Sequence, residues 1–480
     1  MKKLNLIISL QMFPFIIVLI GLYLFFSLTY QVSKHLLPGY SPYDTQRIVE
    51  LLFLELSAIG LLFASKKTWQ VSFYTMPRNI RIGLVIILIL GLLSSLQAPL
   101  PKMAYLELSL FVLLFFLIIT VASQRIIFGE LFDYQLIKLL IFFAVLYSIL
   151  VFKQMLIIHL INVPASHITN NFFPGFANIR FFSQYQLWSL FLVTVPLFSL
   201  NRKSMPYYIV LIVALLWWTL AWIDGSKSVR VSIGLALLCI IFLFRAKVIK
   251  WLIAHLLIMF IGYLFYKLLL SQATSIHTVT SLNSSTSARE TLWLYTWQLI
   301  KAHPLLGLGP MHFAYYINLI AAHPHNALLQ FAVEWGVPVA LLLVGIIIYS
   351  ILTWVKSLLS AESVPVLSLA LLATLIAEFC NSMMDGVIVT PMSQVMMAII
   401  IGWSYGVYRA AYRQEIKQTA RDYFLLLLRA IMVASSAGIV IGVLPVLSHL
   451  SQNEIIWYLQ QNPSKPFYPR FWLQGWIGKP

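Results

Sequence analysis

The chain has 480 residues, of which 61% are hydrophobic and 10% charged, with a formal net charge of +17 and a mean hydropathy of +0.89. A soluble domain carries about 25% charged residues, so a water-soluble enzyme is excluded. The composition predicts an all-α, polytopic integral membrane protein. The positive charge is read as topogenic, set against anionic lipid rather than nucleic acid. Cys239 and Cys380 lie far apart in apolar runs, which argues against a disulfide framework and against a zinc site.

A hydrocarbon core about 30 Å thick needs around 20 apolar residues per helix. Apolar runs at 5–29, 48–64, 82–98, 104–123, 135–159, 184–200, 206–222, 231–245, 251–270, 336–354, 364–380, 393–409 and 423–447 predict 12 or 13 transmembrane helices in a single membrane domain, 1–480. The first run follows Lys2 and Lys3 but is longer than a signal-peptide core and lacks a small-x-small cleavage site, so it is expected to be a retained span. With a cytoplasmic N-terminus, the clusters Lys66/Lys67/Arg78/Arg81, Arg202/Lys203, Arg245/Lys247/Lys250 and Arg409/Arg413/Lys417/Arg421 all fall on the cytoplasmic side, as the positive-inside rule requires.

That topology places three longer polar windows on the opposite face: 160–184, a loop of 271–325, and a C-terminal tail, 448–480, whose aromatic and basic residues resemble an interfacial belt. In the loop, the Ser287-x-x-Glu290 spacing predicts a capping box and an interfacial helix running through Trp293, Trp297 and Ile300. Next comes His323-Pro324-His325-Asn326, where Pro324 ends the loop and His325 or Asn326 caps a further helix. A helix N-terminus favours phosphate and disfavours imidazolium. His325 is therefore either a neutral imidazole ready to accept a proton or a residue that only caps a helix or bonds a loop; His323 is expected to be structural.

His325-Asn326, nine residues and then Gly336 resembles the His-[Asn/Ser/Gln]-x9-Gly-x-x-[Gly/Thr/Tyr] signature of the O-antigen ligase and O-antigen polymerase superfamily. Upstream, Ser287-Ala-Arg289-Glu-Thr-Leu-Trp293 and His303-Pro-Leu-Leu-Gly307-Leu-Gly309-Pro310 are similar to its Gly-Arg-x-x-x-Trp and His-Pro-Leu-x-Gly-x-Gly segments. Val339 departs from the signature's last position, and Ala288 replaces the usual glycine.

The resemblance implies transfer of a glycan from an undecaprenyl-diphosphate carrier to an acceptor hydroxyl, on the periplasmic face of the bacterial inner membrane, with neither metal nor cofactor. Partners would be the lipid-linked donor, membrane lipids and an acceptor. Lipid A-core is the acceptor for a ligase, a second carrier-linked glycan for a polymerase, a pilin-like protein for a protein O-oligosaccharyltransferase. In such a site Arg289 and Arg180 would stabilise the departing diphosphate, as guanidinium groups suit phosphate oxygens; the alternative for Arg180 is a side chain that only snorkels to the membrane interface. His325 would act as general base for an inverting displacement. The turn Asp224-Gly-Ser-Lys227-Ser-Val-Arg230 resembles a degenerate form of the family's Ser-Gly-Ser-Arg-Gly turn; Lys227 or Arg230 either holds diphosphate or pairs with Asp224 to anchor a span end. Asn326 and Gly336 would support substrate binding or the loop. Acids in or near the spans, Glu50, Glu55, Glu107, Glu378 and Asp385, keep open a rival of another class, a proton-coupled transporter or lipid-linked sugar flippase.

Overall fold

The computed structural model describes residues 2–160, 173–271, 286–316, 318, 320–411, 422–447, 450 and 469–477. In chain order the helices are α1 (Lys2–Leu28), α2 (Tyr30–Leu36), α3 (Pro42–Leu62), α4 (Lys66–Trp69), α5 (Arg78–Gln97), α6 (Pro101–Phe128), α7 (Glu130–Leu160), α8 (Ile179–Leu190) and α9 (Met205–Ile223). They continue as α10 (Lys227–Phe244), α11 (Ile249–Ser271), α12 (Thr286–Ala302), α13 (Ala327–Trp335), α14 (Val337–Leu359), α15 (Val366–Ser382), α16 (Pro391–Ala411) and α17 (Asp422–Leu447). No strand occurs among the described residues. The fold is all-α and polytopic.

Each of the thirteen apolar windows falls on a helical segment, because a backbone in lipid must satisfy its own polar groups. Length and apolarity alone qualify eight segments as spans among the described residues, or nine if the pair Phe15–Leu28 and Tyr30–Leu36, bent by 92°, counts as one. The lower number has a physical basis. Lys227–Leu269 counts as a single segment, although Arg245, at φ 50, divides α10 from α11. α15 is only 17 residues long, and α3 and α16 carry polar side chains buried inside the bundle. The window 184–200 keeps its place in the count, as part of Ile179–Phe198, although α8 ends at Leu190 and a short 3-10 turn follows over Val195–Phe198, where Pro196 cannot continue an α-helix.

α6 lies at the centre and packs against α3, α5, α16 and α17. Its tight contact with α16 depends on Gly402 and Gly406: a Cβ on Gly402 would sit 2.6 Å from the Ile118 carbonyl oxygen, and one on Gly406 2.6 Å from Arg125 Cβ. Small residues four apart let two membrane helices approach backbone to backbone.

The buried acids are mostly in fixed polar networks. Glu50 pairs with Arg47, Glu107 with Arg470 at 2.7 Å, and Asp133 with Arg125 at 2.6 Å while also accepting from Trp403 Nε1. Glu378 contacts Asn381 at 3.4 Å. Glu50 is paired within α3 by an arginine that also reaches Gln394 of α16, and Glu107 is paired with Arg470 of the C-terminal segment; both acids have fixed cation partners, which removes much of the motive for the transporter reading.

Two expectations are corrected. Ser287 lies inside α12, which begins at Thr286, so it is not the N-cap. The C-terminal tail is no surface belt where it is described: Arg470, Phe471 and Trp472 are 2%, 3% and 7% exposed, inserted among the helices. The polar run 277–285, the basic residues Arg413, Lys417 and Arg421, and the tail aromatics Trp457, Tyr458, Phe467 and Tyr468 lie outside the described residues.

Candidate functional site

The site begins with the turn before α13. Asn326 is its N-cap: the side-chain oxygen accepts from the Leu329 amide at 3.0 Å, and the side-chain amide donates to the Met383 carbonyl at 3.0 Å. Asn326 therefore ties α13 to the turn between α15 and α16. His325, one residue earlier, has φ 52. A non-glycine residue there costs on the order of 1 kcal/mol and persists only where its surroundings enforce it. The enforcement is visible: the His325 amide donates to His323 Nδ1 at 3.3 Å, the two rings lie 4.0 Å apart, and Trp293 Nε1 donates to the Pro324 carbonyl at 2.9 Å. Arg289 and Trp293, four residues apart, share one face of α12. Trp293 grips the histidine turn and Arg289 approaches the chemistry.

His325 Nδ1 lies 3.6 Å from Asp385 Oδ1. Asp385, in the turn before α16, also accepts from the Gly386 amide at 2.8 Å. Burial alone would raise its pKa, but contact with His325, the Gly386 amide and the Arg180 charge outweigh burial and leave it below the usual aspartate range. Asp385 is thus held as a carboxylate. Arg289, about half-buried, has its proton affinity lowered by burial and by Arg180 and raised by Asp385; a guanidinium remains charged regardless. Arg180 enters from the first turn of α8, where the Asn178 cap accepts its backbone amide at 2.9 Å. The fold thereby brings together Arg180, Arg289 and His325, drawn from three separate segments, around an acid the motifs did not single out. Burial, the His325 charge and Arg470 together push His323 well below the ordinary imidazole range. That favours the neutral imidazole at His323.

The turn at 224–230 meets α8 through Asp224 and Ser183, one helical turn from Arg180. Arg230 donates to the Gly225 carbonyl at 2.7 Å and the Ser226 carbonyl at 3.3 Å and lies 5.7 Å from the Trp222 ring centroid. It closes its own turn more than it pairs with Asp224. Lys227 is exposed at the start of α10. Arg230 and Trp222 line one side of a largely apolar cavity of about 430 Å³ between α9, α10 and α11.

The two glycine-containing motifs are one packing unit. The Leu308 and Gly309 amides donate to the Val333 and Glu334 carbonyls at 2.8 and 2.9 Å, and the Val337 amide donates to Pro304 at 2.9 Å. A Cβ on Gly307 would fall 2.6 Å from the Glu334 backbone, and one on Gly336 2.1 Å from the Leu305 oxygen. With φ 89 and ψ 157, Gly336 occupies backbone space open essentially to glycine alone. Its part is support of the loop. Gly336→Ala is expected to destabilise the fold by about 3 kcal/mol, seen as a lower unfolding midpoint in detergent and reduced membrane abundance.

Among the described residues no group of three or more His, Cys, Asp or Glu is arranged to hold a metal. The assembled groups offer a proton acceptor oriented by a carboxylate and two cationic forks beside it, a set suited to displacing an anionic leaving group by a hydroxyl.

No curated protein matches the chain. The O-antigen ligase family model matches residues 187–344, about a third of its length, a stretch containing Lys227, Arg230, Arg289, His325, Asn326 and Gly336 but neither Arg180 nor Asp385. Over that segment the chain is similar to the O-antigen ligase family, and at least eight of its described helical segments are long and apolar enough to cross a membrane.

Proposed function

We propose that this protein is a membrane glycosyltransferase that moves a glycan from an undecaprenyl-diphosphate carrier to an acceptor hydroxyl at the periplasmic face of the bacterial inner membrane. The observation carrying this reading is the meeting of Arg180, Arg289, His325 and Asp385. His325 Nε2 accepts the hydroxyl proton while Asp385 holds the opposite side of the ring. The acceptor oxygen bonds to the anomeric carbon and the bond from that carbon to the diphosphate oxygen breaks with inversion. The electron pair leaves on the lipid diphosphate, whose added charge Arg180 and Arg289 neutralise in a partly desolvated site. The apolar cavity beside Trp222 and Arg230 suits the polyprenyl chain, with Arg230 at its polar edge; Lys227, exposed at the start of α10, does not line it.

Lipid A-core is the proposed acceptor; a second carrier-linked glycan and a pilin-like protein are the alternatives. A null mutant compared with its parent distinguishes them. Loss of every capped lipopolysaccharide band marks a ligase, and loss of long chains alone a polymerase. A lighter secreted or pilus protein with an unchanged ladder marks protein glycosylation. An unchanged product set in all three assays overturns the glycosyltransferase reading.

Arg289→Lys is expected to lower transfer by about 10²-fold although the charge is kept, because an ammonium lacks the planar fork that grips phosphate at two points. Initial rates with purified protein and a lipid-linked glycan measure this. Wild-type rates for the lysine variant would remove bidentate contact from the mechanism.

A further inference from the structure

The C-terminal segment 469–477 crosses the interior of the bundle and touches three helices that are distant from it in sequence. The Tyr43 hydroxyl of α3 donates to the Arg470 carbonyl at 2.5 Å, Arg47 Nε donates to the Phe471 carbonyl at 2.9 Å, and the Leu473 amide donates to Asp44 at 2.8 Å. The Arg47 guanidinium also lies 4.9 Å from the Phe471 ring centroid. Its far end reaches the glycine-motif loop, where the Ile477 amide donates to the Ala314 carbonyl at 3.4 Å.

The segment delivers one side chain to the centre. Arg470 Nη2 donates to Glu107 of α6 at 2.7 and 2.9 Å and to Glu334 of α13 at 2.6 Å. With its amide oxygen turned to the guanidinium, Gln330 accepts from Nη1 and Nη2 at 3.2 and 3.0 Å. Glu334 is a junction in its own right: its other carboxylate oxygen accepts the Phe313 amide at 3.1 Å, and its backbone oxygen accepts the Gly309 amide and, at 3.1 Å, the Ser94 hydroxyl. Gln330 and Glu334 share one face of α13, the nine-residue helix whose N-cap, Asn326, follows His325.

We propose that Arg470 is a positioning residue for the transfer reaction: by clamping Glu107 and Glu334 it fixes the axis of α13, and with it His325 against Asp385, so that the C-terminal strap completes the site. Two buried carboxylates brought together need a cation between them. Among the described residues Arg470 is the cation in ion-pair contact with both carboxylates, with Arg47 acting on Glu107 from farther off, so α13 is locked after residue 470 is seated. The Arg470 charge also reaches His323, packed against His325, and adds to burial in keeping it unprotonated. A helix one ångström out of place is enough to cost about 10²-fold in rate.

This inference rests on His325 being the base, so His325→Ala is run beside the test. The variants are Arg470→Met and the fully uncharged Glu107→Gln/Glu334→Gln/Arg470→Gln, both in the full chain. Abundance, unfolding midpoint, kcat and donor KM are measured with a lipid-linked glycan. The triple variant, which leaves no buried charge unpaired, is expected to accumulate and unfold like the parent yet to lose about 10²-fold in kcat. Donor KM should stay within about threefold, since Arg180 and Arg289 are untouched. A merely structural arginine would lower folded protein and leave kcat per folded molecule intact. Full kcat in the triple variant overturns the proposal. So does failure of both variants to accumulate, which would make the strap a folding element. If His325→Ala itself retains transfer, the reading of the site fails, whatever Arg470 does.

Discussion

His325→Ala is expected to lower glycan transfer by about 10²- to 10⁴-fold, the range a positioned general base contributes, with membrane abundance close to that of the parent. The asymmetry between the two readouts follows from the surroundings. The imidazole is about a quarter exposed and its main packing partner is the His323 ring, so little apolar contact is lost. The turn is held from elsewhere, by Trp293 on Pro324 and by the Asn326 cap. Alanine inherits the same positive φ, so backbone strain changes little. Time courses with purified protein and a lipid-linked glycan, normalised to folded protein, measure the effect. An alanine variant that is equally abundant and turns over at the parental rate removes His325 from the chemistry and leaves it a loop residue.

Apolar run length told where helices form because lipid leaves the backbone no alternative; it told less about which helices are long and apolar enough to cross unaided. α3 shows why. Asp44, Arg47 and Glu50 are fully or almost fully buried in it, satisfied by partners such as Gln394 and Phe471, and a hydropathy window cannot see such partners. The histidine turn was legible because its parts are close in sequence: Arg289, Trp293, the 303–310 glycines, His325 and Gly336 fall within 48 residues of one another and repeat a known spacing.

Asp385 was not legible as part of the site. It lies 60 residues beyond His325, in a short turn between apolar runs, and stood out only as one of several acids near span ends. Arg470 was hidden for the opposite reason. Its neighbours are aromatic and basic, the composition of an interfacial belt, whereas the partners that draw it inward, Glu107 and Glu334, are 363 and 136 residues away. A lone acid near the start of α6, Glu107, was the available signal, since a buried carboxylate calls for a cation somewhere in the chain.

Asp385→Asn should lower kcat by about 10²- to 10⁴-fold while leaving donor KM no higher than in the parent. The carboxylate faces one imidazole nitrogen at 3.6 Å, a charge contact that favours the proton on that side of the ring and leaves the other nitrogen free to take one. An amide in its place can hold the ring in the wrong tautomer, a change that drops kcat by about 10⁴ in a serine protease triad. The neighbouring charges predict the KM result. Removing one negative group beside Arg180 and Arg289 leaves the site more positive, which cannot weaken capture of a diphosphate. Because the Asp385 pKa is lowered, its carboxylate contributes fully above the ordinary aspartate value of about 3.9 and fades only as pH falls through the lower folded value. From about pH 5 to about pH 9 the parent therefore keeps the carboxylate throughout, and the kcat loss, taken per folded molecule, should be present at every pH in that interval. A donor KM that rises with an unchanged kcat would assign Asp385 to donor binding instead of to the orientation of His325.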